Sequence, residues 1–239
     1  MKIKVIKVKN KEELGRQAAN RVCDILHQEE KPVLGLATGS TPKPLYKTLI
    51  ERYQKGEVSF KETTTFNLDE YVGLSAEDSF SYRYYMEKHL FEYVDIKKEN
   101  VYIPDGLAND LQAECQRFEQ AIQKVGPIHL QILGVGLNGH IGFNEPGTSF
   151  HSRTHVAELE ESTRRVNSRF FNSLEEVPKQ ALTMGIGTIM EAEEVMLLVQ
   201  GEHKAEILEK IVYGEVTENV PASVLQNHPN AYIITDIDL

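Results

Sequence analysis

The segment GVGLNGHIGFNEPG, Gly134 to Gly147, brings Asn138, His140 and Glu145 close together in the chain. A histidine titrates near neutrality and can carry a proton between two oxygens. A carboxylate or an amide beside it can hold the imidazole in one tautomer. The opening residues of the segment also satisfy G-x-G-x-x-G, the fingerprint of a dinucleotide site. Such a site needs a helix running on from the glycines, with its N-terminus at the pyrophosphate. Gly142 and Pro146 follow too closely for that helix, and Asn144-Glu145-Pro146-Gly147 is a turn sequence. Glu158 and Glu160 lie at about the fingerprint's distance, but no βαβ unit carries them there. The segment therefore argues against a nicotinamide cofactor. Its glycines read as letting a sugar ring approach the backbone beside Asn138, His140 and Glu145.

Five other stretches carry groups that could do chemistry. In VLGLATGSTPKPLY, the small residues Thr38, Gly39, Ser40 and Thr41 separate an apolar run from a helical one. Backbone N–H groups and hydroxyls there can hold an anion at a helix N-terminus; equally, Ser40 or Thr41 can be an ordinary N-cap. The G-K-[ST] ending of a P-loop is missing. In TTTFNLDEYVGL, Asp69 and Glu70 follow an apolar run, so a general base and a pair of solvated acids are both open readings. Arg164, Arg165 and Arg169 in STRRVNSRFF, and Lys204 in VQGEHKAEIL, are phosphate ligands or a solvated basic face. His151 and His155 have the spacing of half a metal site, but no H-E-x-x-H pattern or neighbouring cysteine completes it, so no metal is expected.

These groups need a scaffold. Apolar runs at 3–8, 33–37, 63–68, 130–135, 194–199 and 231–235 read as strands. Helical patterns lie between them at 12–27, 44–55, 82–93, 110–125, 179–193 and 204–212. The alternation predicts an α/β fold: a Rossmann-like, doubly wound, mostly parallel sheet with helices on both faces. Ligands of such sheets bind beyond the carboxyl ends of strands. That rule nominates residues 37–42, 67–71, 134–146 and 200–204. No internal repeat or long linker divides the 239 residues, so a single domain over 1–239 is expected. Residues 147–165 are polar and without a period, and a lid near 147–178 follows.

Composition narrows the partners. A formal net charge of −10 argues against nucleic acid. An anionic ligand would need a local cluster of donors working against that field. No apolar stretch is long enough to span a membrane, and the N-terminal MKIKVIKVKN alternates like a strand instead of forming a leader. Cys23 and Cys115 form neither a disulfide framework nor a zinc cluster. A cytoplasmic protein is expected.

Taken together, LGLATGSTP, FNLDEYVGL, GVGLNGHIGFNEPG, RVNSRFF and GEHKA resemble the glucosamine-6-phosphate deaminase (glucosamine/galactosamine-6-phosphate isomerase) family. The resemblance runs in order along nearly the whole chain. It implies a Rossmann-like doubly wound fold. The implied reaction takes glucosamine 6-phosphate and water to fructose 6-phosphate and ammonia, by aldose–ketose isomerisation with deamination. It implies no cofactor. Asp69 matches the family's enolising base, His140 its ring-opening residue, and Asn138 and Glu145 the partners that orient it. Thr38, Gly39, Ser40, Thr41, Arg169 and Lys204 match its phosphate ligands.

The chain departs from the pattern in two places. Asn138 stands where many members carry Asp, which removes a charge beside the histidine. His155, Ala157 and Glu158 stand where allosteric, hexameric members carry basic residues, and the C-terminus ends early. A monomer without activation by N-acetylglucosamine 6-phosphate is expected. Two other functions use similar residues. A 6-phosphogluconolactonase-type hydrolase shares the fold but needs no base for a carbon-bound proton. A non-catalytic sugar-phosphate-binding regulator would need a DNA-binding module or basic face.

Overall fold

Four- and five-residue runs of Val, Leu and Ile suit strands that are covered on both faces, because no position has to face water. The computed structural model, which describes residues 3–239, has such strands at its centre. In chain order the elements are β1 Lys4–Lys7, α1 Lys11–Gln28, β2 Val33–Leu36, α2 Lys43–Gln54, β3 Thr64–Asn67 and β4 Asp69–Tyr71. Then come α3 Tyr82–His89, β5 Val101–Tyr102, α4 Leu111–Val125, β6 Leu130–Leu133, β7 His155–Glu158 and α5 Glu161–Asn167. The remainder are β8 Gln180–Thr183, α6 Ile186–Met190, β9 Val195–Val199, α7 Ala205–Tyr213 and β10 Ala231–Thr235.

The main sheet has the order β1-β10-β9-β6-β2-β3-β5, and every pairing in it is parallel. Every residue of β2, β6 and β9 is buried, so both faces of the sheet are covered, as expected for a doubly wound fold. From β2 the chain moves outward through β3 to β5. It then returns to β6, beside β2, and moves outward the other way to β9 and β10. The order of strands therefore reverses between β2 and β6, which opens a crevice at their carboxyl ends. Local signals set the helix starts. Asn10 caps α1 by accepting from Glu13 N at 2.9 Å, and Asp110 caps α4.

A second, antiparallel sheet, β4-β8-β7, corrects the expected element list. Residues 179–193 read as a helix, yet they form β8 and the one-turn α6. A short apolar run fits either period, and its strand partner β7 lies in a stretch that looked like pure loop. Gly185 then ends the strand: a Cβ on it would lie 2.2 Å from Ser152 O, so the backbones touch. The helix expected at 82–93 stops at His89, followed by a 3-10 turn at Phe91–Tyr93. Under the small sheet, Tyr71, Phe143, Ala157, Leu159 and Ala181 make a separate apolar cluster, packed by Tyr82 and Phe171.

Candidate active site

The loops leaving β2 and β6 border the crevice at the switch in strand order. A cavity of about 790 Å³ opens there. Thr38, Gly39, Ser40 and Thr41 line it from one loop, and Asn138 and His140 from the other. Asp69, Arg169 and Lys204 complete the lining. All four nominated segments reach this one space. Glu145 does not line it; it stands behind Asn138, 7% exposed.

His140 is held through Asn138. Its Nδ1 lies 2.7 Å from Asn138 Oδ1, and Asn138 Nδ2 donates to Glu145 Oε2 at 2.8 Å. With the amide oriented by Glu145, its oxygen accepts from Nδ1–H, and Nε2 keeps the lone pair. The sequence reading had Glu145 and Asn138 together orienting the imidazole. Here Asn138 makes the shorter contact, and the carboxylate sits 3.5 Å from Nδ1. Burial opposes the charge on Glu145. The nearby imidazole, Thr163 and Asn138 outweigh it, so the carboxyl stays below the usual range.

The glycines of this segment have a different use from the one expected. A Cβ on Gly136 would lie 2.1 Å from the His140 ring, so the missing side chain makes room for the imidazole, not for a sugar. Gly142 adopts φ +58°, and a Cβ there would meet Thr183 Oγ1 at 2.9 Å. Gly134 alone borders open space and the cavity.

Asp69 and Glu70 separate. Asp69 lines the cavity and is buried, and burial with the neighbouring Glu70 charge pushes its carboxyl up to about 8. A carboxylate in that position is a stronger base than one in water. Glu70 accepts from the backbone N–H groups of Tyr71, Tyr82 and Arg83, each at 2.9 Å. It closes the start of α3 and is absent from the cavity wall.

The cavity wall also carries cations, Lys204 and Arg169. Lys204 Nζ donates to Val135 O at 2.7 Å, and burial followed by the nearby Arg169 cation lowers its affinity for a proton. Two cations near enough to feel each other's charge suit a multiply charged anion. The β2–α2 loop supports the same reading. The cap position of α2 is Pro42, and no side chain bonds the first N–H groups, so Ser40 and Thr41 are not its caps. Those N–H groups and the helix dipole remain available to an anion.

The remaining nominated residues lie outside the site. Arg164 binds the carbonyls of Leu174 and Val177, and Arg165 pairs with exposed Glu161. His151 lies in an exposed turn, while His155 Nδ1 meets Arg153 O within β7. Several lining residues escaped the sequence reading: Tyr71, Tyr82, Phe143, Thr163, Asn167 and Phe171. Asn167 Nδ2 donates to Tyr71 Oη at 3.0 Å, joining α5 to β4. Asn167 belongs to RVNSRFF, where only the arginine drew notice.

Comparisons with known proteins agree with this geometry. The family model described as glucosamine-6-phosphate isomerases/6-phosphogluconolactonase matches residues 9–234. The glucosamine-6-phosphate deaminase of Oceanobacillus iheyensis is 56% identical, over 98% of this chain and 94% of its own. That of Shouchella clausii is 53% identical, over 97% and 94%. A solved monomeric glucosamine-6-phosphate deaminase superposes with TM-score 0.96 at 47% identity, covering 98% of this chain and 97% of that one. The 6-phosphogluconolactonase of Thermotoga maritima superposes with TM-score 0.75 at 17% identity, over 97% of each chain, and shares the fold. The chain belongs to the glucosamine-6-phosphate isomerase/6-phosphogluconolactonase family.

Proposed function

We propose that this protein is a glucosamine-6-phosphate deaminase, converting glucosamine 6-phosphate and water to fructose 6-phosphate and ammonia. The observation that carries the reading is Asp69: a buried, proton-hungry carboxylate in the same cavity as the His140 relay and the Lys204–Arg169 cations. A lactone hydrolase has no carbon-bound proton to move, so it has no use for that base. The full-length relatives at about half identity point the same way.

The residues divide the work. Lys204, Arg169 and the loop of Thr38, Gly39, Ser40 and Thr41 grip the phosphate and orient the sugar with that remote binding energy. His140 Nε2 takes the proton of O1 and returns one to O5, so the C1–O5 bond breaks and the open aldehyde forms. Asp69 takes the proton from C2 while O1 takes one up from water, giving an enolamine, and Asp69 then delivers its proton to C1, leaving an iminium at C2. Water then adds at C2 and ammonia leaves. Each step moves protons and bonding pairs within substrate and water, so the overall change needs no external oxidant.

We read residues 1–239 as one unit with a lid at 147–178, because that segment supplies Thr163, Asn167, Arg169 and Phe171 to the cavity wall. A monomer is favoured, in keeping with the monomeric deaminase at 47% identity. A cytoplasmic setting suits the two free, buried cysteines. Among the described residues, no helix is long and apolar enough to cross a membrane. One assay tests the function. Purified protein with glucosamine 6-phosphate should release ammonia and form fructose 6-phosphate. Hydrolysis of 6-phosphogluconolactone without ammonia release would replace this reading.

A further inference from the structure

The carboxylate behind the ring-opening histidine is completed from the lid. Thr163, 5% exposed on α5, donates its hydroxyl to Glu145 Oε1 at 2.5 Å. Glu145 Oε2 accepts from Asn138, and Asn138 accepts from His140 Nδ1. The four side chains form a continuous line from the lid helix to the imidazole. Glu145 has one partner on each oxygen, and Thr163 is the one that comes from a segment remote in sequence. The titratable group facing Glu145 is His140, 3.5 Å away; Asn138 and Thr163 are its uncharged partners.

We propose that Thr163 is a positioning residue for ring opening, which makes the Glu145–Asn138–His140 relay complete only when α5 is seated over the cavity. The proposal rests on the deaminase reading. Its physical content is simple. With Asn in place of Asp beside the histidine, the relay's negative charge resides on Glu145 alone. That charge must stay in a place where burial opposes it, and a charge-assisted hydrogen bond holds it there. Thr163 also fixes the rotation of the carboxylate, so that its other oxygen meets the Asn138 amide. A lid helix displaced by even a little would free the carboxylate, the amide and then the ring.

The test compares the parent with Thr163→Val, Thr163→Ser and, should the valine variant fold poorly, Thr163→Ala. Three quantities are measured: kcat for glucosamine 6-phosphate by ammonia release, its pH profile, and Ki for the acyclic 2-amino-2-deoxyglucitol 6-phosphate. Losing a hydrogen bond to a charged group should lower kcat about 10- to 100-fold in Thr163→Val. Without its donor Glu145 binds a proton more readily, so the acid limb, whose upper bend Asp69 sets near 8, should show its lower, steeper bend at higher pH than in the parent. Ki for the acyclic ligand, which needs no ring opening, should stay within a few-fold, and Thr163→Ser should restore both limb and kcat. A merely structural threonine would change Ki and kcat together and leave the limb in place; that result overturns the proposal, as does parent-like kcat in Thr163→Val. If the parent itself releases no ammonia, the deaminase reading falls first.

Discussion

Asp69 and Glu70, adjacent in the chain, turn their carboxylates to different surroundings: Asp69 to the cavity and Glu70 to the N-terminus of α3. Strand alternation in β4 forces the separation, since successive side chains leave opposite faces. One acid is left as the base, and its neighbour becomes a fixed part of the frame that raises its proton affinity.

Replacing Asp69 with Asn keeps the shape and removes the base. Turnover should fall roughly 10²–10⁴-fold, while binding of fructose 6-phosphate is retained. In the parent, kcat/KM should climb with pH to about 8 as Asp69 loses its proton. Steady-state rates across pH check both. A variant within a few-fold of the parent means the base is elsewhere.

The same acid should weaken the fold at high pH. Its proton affinity is higher folded than unfolded, so the native state holds more protons between the ordinary value of 3.8 and about 8. Its contribution is full below the lower value and is lost as pH rises through the upper one. Asp69→Asn should therefore be more stable than the parent above pH 8, and the gain should shrink toward pH 4. Glu70, pushed up to about 7 chiefly by burial, adds a similar slope that persists in the variant. Denaturant unfolding at several pH values measures the difference. A gain that does not vary with pH contradicts the assignment.

Arg169→Ala and Lys204→Ala each remove a cation from the phosphate end. Affinity for fructose 6-phosphate should drop by about 1.5–3 kcal/mol per charge-assisted bond, with KM rising more than kcat falls. Calorimetric titration reads this directly. Unchanged binding in both variants would put the phosphate elsewhere in the cavity.

His140→Gln should cut turnover of the closed sugar by about 10²-fold or more. Its Ki for the acyclic amino-glucitol phosphate should remain within several-fold, because the phosphate ligands are untouched. Equal losses in both would make His140 a binding residue instead of the ring opener.

Gly136→Ala places a methyl where the imidazole lies. The ring must move, so activity should approach that of His140→Gln while the phosphate end still binds. A parent-like rate would show that the ring has another seat.

Much of this protein is written locally. Unbroken apolar runs such as VMLLV can only be buried strands in a segment so short, and caps such as Asn10 and Asp110 mark helix starts within a few residues. The parallel sheet, and the rule that ligands sit beyond its strand ends, were legible from that alternation. So were the residue types of the site, because a histidine, an acid and a glycine-rich turn signal chemistry by composition. Other decisions depended on pairings between distant segments. Residues 180–183 became a strand because β7 and β4 were there to pair with them, and no local period encodes a partner. Adjacent acids took different roles because β4 has two faces with different surroundings. The arginines likewise separated only in three dimensions: Arg169 reaches the cavity, Arg164 finds carbonyls and Arg165 finds solvent and Glu161. Thr163 carried no signal at all in the chain, since a hydroxyl becomes informative only when burial leaves it a single carboxylate to bond. Residue type was thus set by the chemistry each position can perform, and role by which distant groups the packed chain brought within hydrogen-bonding reach.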